Sequence, residues 1–193
     1  MDRIWQIWLS GGWVMIPLFV LAVLLYTQGF QLVMYVRRSD LGKGDEMSWW
    51  EWVRSPSRAT GRVADIIQYT QTDVSSAKQI RNRFDEVRLS FVDLIDRRTR
   101  FVSTLVAAAP LMGLLGTVMG MLQTFYGIST SGGAETAGVV AAGISEALVT
   151  TQTGLTIALP GLFLVMMIRR QRQNLEARLA RLECLTLTHF KFE

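Results

Sequence analysis

Residues 136–168 read TAGVVAAGISEALVTTQTGLTIALPGLFLVMMI, and this stretch decides the class of the fold. Glu146 is its only ionisable side chain. A helix needs about 20 apolar residues to cross a hydrocarbon core of ~30 Å, and this stretch is longer than that. It therefore predicts a transmembrane helix.

Two further stretches meet the same criterion, because residues 4–36 and 101–134 contain no Asp, Glu, Lys, Arg or His. A soluble protein of 193 residues is too small to surround three uncharged helices. We therefore expect an all-α membrane protein with transmembrane helices at residues 13–36, 101–128 and 139–168. The first is expected to be a retained anchor, because its apolar run exceeds the core of a secretory signal and no small-x-small cleavage site follows it.

Lysine and arginine are distributed unevenly among the segments that flank these helices. Of 20 such residues, 13 lie in residues 37–100 and six in residues 169–193. Because basic residues favour the cytoplasmic side, we expect both segments to be cytoplasmic in a bacterial inner membrane. Residues 1–12, predicted to form an interfacial helix, and the loop at residues 129–138 are then periplasmic. Acidic residues are mixed into the first basic segment, which favours contact with lipid headgroups at the cytoplasmic face over contact with nucleic acid.

The cytoplasmic segments are themselves predicted to be helical. A tryptophan cluster at residues 49–52 lies within a short helix between turns. From Asp73 onward apolar residues recur at spacings of three and four, which predicts an amphipathic helix that continues unbroken into the second span. The leucines of the tail keep the same spacing: Leu175, Leu179, Leu182 and Leu185. We therefore expect the second and third transmembrane helices to extend into a cytoplasmic helical bundle.

Small residues recur at helical spacing in the second span, at Gly113, Gly116 and Gly120. Such residues let helix backbones approach closely in lipid. We interpret these glycines as a surface for helix packing.

Glu146 is the candidate functional residue of the third span. A carboxylate at mid-depth costs about 2.5 kcal/mol or more, so it is expected to face a cavity, a partner or the bundle interior. Thr150 and Thr153 follow on the same helical face, and Thr151 lies at its edge. If this face meets Thr117 of the second span, hydroxyls and one carboxyl line a route for protons or ions. The alternative is a glutamate that reaches water from near the outer end of the helix.

The sequence contains no pattern typical of a catalytic or cofactor site. It lacks a phosphate-binding loop with its lysine, the H-E-x-x-H motif and the nucleophile elbow. Cys184 and His189 are the only residues of their types, so neither a disulfide framework nor a metal-ligand set can be built from them. We expect no cofactor and no catalysed reaction.

Two motifs resemble those of a known family. Residues 109–121 read APLMGLLGTVMGM and resemble the second-span signature A-P-x-x-G-L-x-G-T-V-x-G-[IM] of ExbB and TolQ. Residues 142–155 read AGISEALVTTQTGL and resemble the third-span signature G-I-x-E-A-L-x-x-T-x-x-G-L, which A-L-P at residues 158–160 follows. The chain is therefore similar to the ExbB/TolQ/MotA proton-channel family, and to ExbB within it.

This resemblance implies a homopentamer around the transmembrane helices of an ExbD-like single-span partner. Proton flow through an aspartate of that partner would drive rotation or strain that passes to a TonB-like protein. By the same resemblance, Thr117, Glu146 and Thr151 match pore-lining positions, and Pro110 and Pro160 match paired helix prolines. The chain departs from the family pattern in its additional polar residues after Glu146, which leave sodium open beside protons: Thr150, Gln152 and Thr153.

Three alternatives to an ExbB-type subunit remain open from the sequence. A TolQ-type subunit that energises the envelope has the same motifs. A MotA-type stator normally has four spans, whereas three are predicted here. A membrane scaffold that conducts nothing should tolerate Glu146→Ala, which a motor should not.

Reporter fusions test the predicted orientation. Fusions near residue 60 and at the C-terminus should report the cytoplasm, and a fusion near Ser131 should report the periplasm, because the basic residues lie almost entirely on one side. Opposite readings would contradict both the orientation and the family resemblance.

Overall fold

The computed structural model describes residues 11–39, 46–55, 58–59, 61–72, 74, 76–130 and 136–190. Within them lie five α-helices: α1 (Met15–Ser39), α2 (Glu46–Arg54), α3 (Arg62–Gln71), α4 (Ala77–Thr130) and α5 (Thr136–Phe190). These residues contain no β-strand, so the all-α prediction is confirmed. The interfacial helix expected at residues 1–12 falls outside the described residues except for Gly11 and Gly12, as does the centre of the loop expected at 129–138.

Three of these helices, α1, α4 and α5, are long and apolar enough to cross a membrane. The most apolar 18-residue windows have mean hydropathies of 1.8, 1.9 and 1.6, and only 33%, 28% and 28% of the residues in them are buried. The outward faces of the windows are therefore largely apolar, with side chains such as Phe30, Leu122 and Phe163 exposed. A hydrocarbon environment accommodates such faces and water does not. The prediction of three membrane-spanning helices is confirmed.

The two longest helices continue beyond their apolar windows into charged sequence, as predicted. Helix α4 has 54 residues and α5 has 55. Pro110 and Pro160 lie inside them, where each ring removes one backbone donor from the helix ladder. Helix α3 was not predicted. Its buried residues nevertheless have helical spacing: Val63, Ile66, Ile67 and Thr70.

Residues 31–99 and 166–193 form one of two compact units. Large apolar side chains that are fully buried make its core: Trp49, Ile67, Ile80, Phe84, Ile95, Ile168, Leu179 and Leu182. Helix α3 is fastened to its neighbours by hydrogen bonds, since Gln71 donates to the Val53 carbonyl at 3.2 Å and Arg83 donates to the Tyr69 carbonyl at 2.6 Å. The Tyr69 hydroxyl donates to Glu86, and this bond raises the pKa of Tyr69.

Ion pairs join α4 to α5 within this unit. The Arg172 guanidinium donates to both carboxylate oxygens of Asp96, at 3.0 and 2.9 Å, and it also pairs with Glu176. The hydrogen bonds to Asp96 raise the pKa of Arg172. Arg88 lies 3.1 Å from the Glu183 carboxylate. Arg88 comes before Asp96 along α4, whereas its partner Glu183 comes after Arg172 along α5. The two helices are therefore antiparallel here.

The other compact unit comprises residues 1–30 and 100–165, and in it α4 and α5 approach until their backbones touch. A Cβ atom placed on Gly120 would lie 2.6 Å from the Gly143 carbonyl oxygen, and one on Gly154 would lie 2.7 Å from the Ala109 carbonyl oxygen. A Cβ atom on Gly113 would lie 3.0 Å from the Thr150 carbonyl oxygen. Only glycine fits these positions without a shift of the backbone. The structure thus explains the helical spacing of the glycines in the second span.

Gly120→Ala tests this close contact. The added methyl group would meet backbone atoms of Gly143 and Ala147, which cannot rotate away as a flexible side chain can. We expect the free energy of unfolding to fall by about 1–3 kcal/mol, measured by melting the purified protein in detergent. Gly138→Ala is the control, because nothing lies within 4 Å of its Cβ position. Equal stability of the two variants would contradict the packing described here.

Candidate ion pathway

Glu146 lies on α5 in the unit formed by residues 1–30 and 100–165, and its side chain is partly exposed. The charged residues of this unit that the structure describes are Arg100 and Glu146. Among the described residues, the Glu146 carboxylate has no ion-pair or hydrogen-bond partner. The carboxylate lies against Gly12, in the turn that precedes α1, where any Cβ atom would overlap it. The carboxylate is thus held by packing on α1 while part of it stays open to a further partner.

Thr150 is fully buried and faces α4. A Cβ atom on Gly116 would lie 2.5 Å from the Thr150 Cβ, so the threonine occupies the space that this glycine leaves. Its hydroxyl donates within its own helix, to the Ala147 carbonyl at 3.0 Å or the Glu146 carbonyl at 3.1 Å. Within a single chain, Thr150 therefore fills the α4–α5 contact while Glu146 is turned toward α1.

Thr151 makes a hydrogen bond between the two long helices. Its hydroxyl lies 3.2 Å from the Gly113 carbonyl oxygen of α4 and 3.2 Å from the Ala147 carbonyl oxygen of its own helix. The hydroxyl reaches Gly113 because the glycine contacts bring the two backbones together. Thr151 is therefore fixed to α4 by a specific polar contact.

Thr117 and Thr153 are both partly exposed, and each donates to its own helix. Thr117 donates to the Leu114 carbonyl at 2.6 Å, and Thr153 donates to the Val149 carbonyl at 2.8 Å. In the described part of the chain, neither hydroxyl is bonded to Glu146. Of the predicted site residues, the structure thus brings Thr150 and Thr151 against the glycines of α4, and it brings Glu146 against α1.

The threonine hydroxyls of this region share one property. Each donates its single proton to a backbone carbonyl, which satisfies the hydroxyl without water. A helix that carries several threonines can therefore remain in an apolar environment. The described residues contain no group of three or more His, Cys, Asp or Glu that could hold a metal ion.

The contacts of α1 with α5 were not predicted from the sequence. A Cβ atom on Gly11 would lie 3.2 Å from Val149 Cγ1, so the turn before α1 lies against α5. Farther along α1, the Tyr26 hydroxyl donates to the Ile157 carbonyl at 3.0 Å. Paired glycines directly before an apolar helix were the available signal, because they permit a close approach as well as a turn.

Known proteins with similar sequences agree with this architecture. The MotA/TolQ/ExbB proton channel family matches residues 59–181. A Synechocystis protein named as an ExbB-like biopolymer transport protein is 29% identical, over 81% of this chain and 67% of its own length. The biopolymer transport protein ExbB of Salmonella typhimurium is 37% identical over 43% of this chain, and the Tol-Pal system protein TolQ of Haemophilus influenzae is 38% identical over 36%.

The matches to the last two relatives cover only 34% and 30% of their lengths. The match to the family is broader, because residues 59–181 are more than half of the 193 residues and include α4 and most of α5. The three apolar helices and this match together indicate a protein of the bacterial inner membrane. The chain belongs to the MotA/TolQ/ExbB proton channel family.

Proposed function

We propose that this chain is the ExbB-type subunit of a complex that uses the proton gradient to drive mechanical work for transport across the outer membrane. The observation that carries the proposal is Glu146, the one carboxylate on the described apolar spans, beside the glycine-packed contact of α4 and α5. A carboxylate in such a place is costly, and ionisable residues within membrane spans therefore mark functional sites. The proposed subunit catalyses no reaction, and its energy comes from ion flow.

The proposed complex is a homopentamer that encloses an ExbD-like single-span partner and acts on a TonB-like protein. The large apolar faces of the spans support assembly within the membrane, because at most 33% of the residues in their most apolar stretches are buried within the single chain. In the proposed orientation the N-terminus is periplasmic, and residues 37–100 and 169–193 are cytoplasmic. Arginines at the inner edge then meet lipid headgroups: Arg37, Arg38, Arg97, Arg98, Arg100, Arg169 and Arg170.

The proposed ion pathway uses Glu146 with the threonines Thr117, Thr150, Thr151 and Thr153. Glu146 supplies the charge, and its partly exposed carboxylate has room to meet a helix of the partner. Thr151 links the pathway to α4 through its bond to the Gly113 carbonyl. Protons are the proposed ion, and the hydroxyl oxygens of the threonines are the feature that keeps sodium as the alternative.

A TolQ-type role is the second candidate, because a TolQ protein is among the relatives. The two roles differ in what the complex energises. Restored nutrient uptake in a strain that lacks its ExbB supports the first role. Restored envelope integrity in a strain that lacks its TolQ supports the second.

Glu146→Gln should abolish gradient-dependent uptake while the complex still assembles. Glutamine keeps the shape of the side chain and removes its charge, so packing against Gly12 is retained. The measurements are growth that depends on energised uptake and the native mass of the purified complex, which should show a closed ring in both proteins.

The control for this experiment is Glu176→Gln, which removes a carboxylate from the same helix outside its apolar span. Arg172 keeps its bidentate contact with Asp96 in that variant, so uptake should stay close to normal. Normal uptake in the Glu146→Gln variant would show that Glu146 is a tolerated polar residue and that ions pass elsewhere.

Thr151→Val should weaken uptake less than Glu146→Gln does. The substitution removes a hydrogen bond between helices, and such bonds average about 0.6 kcal/mol in membrane proteins. Thr156→Val is the matched control, because that exposed hydroxyl bonds only to the Gln152 carbonyl of its own helix. Uptake rate and melting temperature are measured for both. Equal uptake rates and melting temperatures in the Thr151→Val and Thr156→Val variants would show that the contact with Gly113 is not needed for function.

A further inference from the structure

We propose that Gly12 is a positioning residue, which sets the Glu146 carboxylate against the start of α1 and so controls the ionisable group of the pathway. The inference rests on the proposed function, because it gives Gly12 a role through Glu146. It gives the start of the first span a role in ion conduction. The motifs of the second and third spans do not indicate such a role.

The steric part of the inference comes from the contact itself. A Cβ atom on Gly12 would overlap Glu146 Oε1 and lie 2.5 Å from Cδ and 3.2 Å from Cγ. The outer half of the glutamate side chain therefore lies along the glycine. Gly12 also has φ of 64°, in the left-handed region that side chains disfavour. Two independent requirements, space and backbone conformation, thus select glycine at this position.

The electrostatic part comes from where the contact lies. Hydrogen bonds from the Met15 amide to the Gly12 carbonyl and from the Ile16 amide to the Trp13 carbonyl, both 3.3 Å, form the turn that opens α1. The first amides of a helix carry a partial positive charge that favours a nearby carboxylate. Arg100 is the only cation among the described residues of this unit, and it pairs with no described carboxylate there. The Glu146 carboxylate therefore lies beside the turn that precedes α1.

The neighbouring contact shows that the whole turn is seated on α5. A Cβ atom on Gly11 would lie 3.2 Å from Val149, one helical turn beyond Glu146. The turn thus covers two successive side chains on the same face of α5. A displacement of this turn would free the carboxylate, and a displacement of the carboxylate would require the turn to lift.

Gly12→Ala in the full complex tests this positioning. We expect intact assembly, reduced energised uptake and a change in the rate at which dicyclohexylcarbodiimide labels Glu146, measured by mass spectrometry at one pH. This reagent modifies protonated carboxyls in membranes. A methyl group at residue 12 would displace the carboxylate from the turn, so the reagent should reach Glu146 more readily and the labelling should rise.

Gly138→Ala is the control, because it adds a methyl group to α5 where nothing lies within 4 Å. Glu146 should be labelled at the wild-type rate in this variant. A purely structural role for Gly12 would lower assembly or stability without a specific change in labelling, and that result would overturn the proposal.

Glu146→Asp tests the positioning role of Gly12 if the Gly12→Ala protein does not accumulate in the membrane. It withdraws the carboxylate from Gly12 by one methylene group and leaves the backbone unstrained, so it should assemble and lose uptake. Full uptake in this variant would overturn the inference. If Glu146→Gln abolishes uptake while Gly12→Ala behaves as wild type, the positioning role alone fails. If Glu146→Gln retains uptake, the proposed function itself fails.

Discussion

Contact between the backbones of α4 and α5 is the constraint on which the membrane unit depends. Lipid chains are as apolar as leucine, so helices in a membrane gain little from burying apolar surface and must associate through close packing. Gly120 with Gly143, and Gly154 with Ala109, bring main-chain atoms to distances that no larger residue permits. The Thr151 hydroxyl reaches the Gly113 carbonyl as a result. The same device recurs where Gly12 meets Glu146, so all three spans are joined through glycine.

Outside the apolar spans the same two helices are held by different forces. Burial of side chains such as Ile95, Leu179 and Leu182 supplies the core there, as expected where water drives apolar surfaces together. Arg172 and Asp96 add a bidentate ion pair between partly exposed side chains, which contributes geometric specificity more than stability. Each long helix therefore changes its packing chemistry along its length. Within the apolar span the two helices pack through glycine. Beyond it they pack through large apolar side chains and ion pairs.

The sequence was sufficient for the features that depend on local pattern. The absence of charge revealed the three spans, the spacing of apolar residues revealed the long helices, and the family motifs were recognisable in residues 109–121 and 142–155. Helix α3 was not predicted from the sequence, because its ten residues are polar on average and follow Gly61 directly. Its buried positions have helical spacing, but they include only three large apolar residues: Val63, Ile66 and Ile67.

The site was less predictable, because helical spacing tells which residues share a face but not which neighbour that face meets. Glu146 and Thr150 are one turn apart and were expected along one seam. Helix α5 contacts both α1 and α4, however, and Thr150 lies against Gly116 of α4 while Glu146 lies against Gly12. Gly12 could not be found by periodicity at all, since its role depends on a contact with a residue far away in the sequence.

The bonding of the threonine hydroxyls bears on which charges this region can admit. Thr117, Thr150, Thr151 and Thr153 each donate a proton to a main-chain carbonyl, so each presents only lone pairs to whatever lies beside it. In the proposed pathway, the oxygens of the partly exposed Thr117, Thr151 and Thr153, together with the Glu146 carboxylate, would favour a cation over an anion. A threonine could hand a proton onward only after rotating away from its carbonyl. In the proposed pathway, each such transfer would interrupt one hydrogen bond between a threonine side chain and a backbone carbonyl.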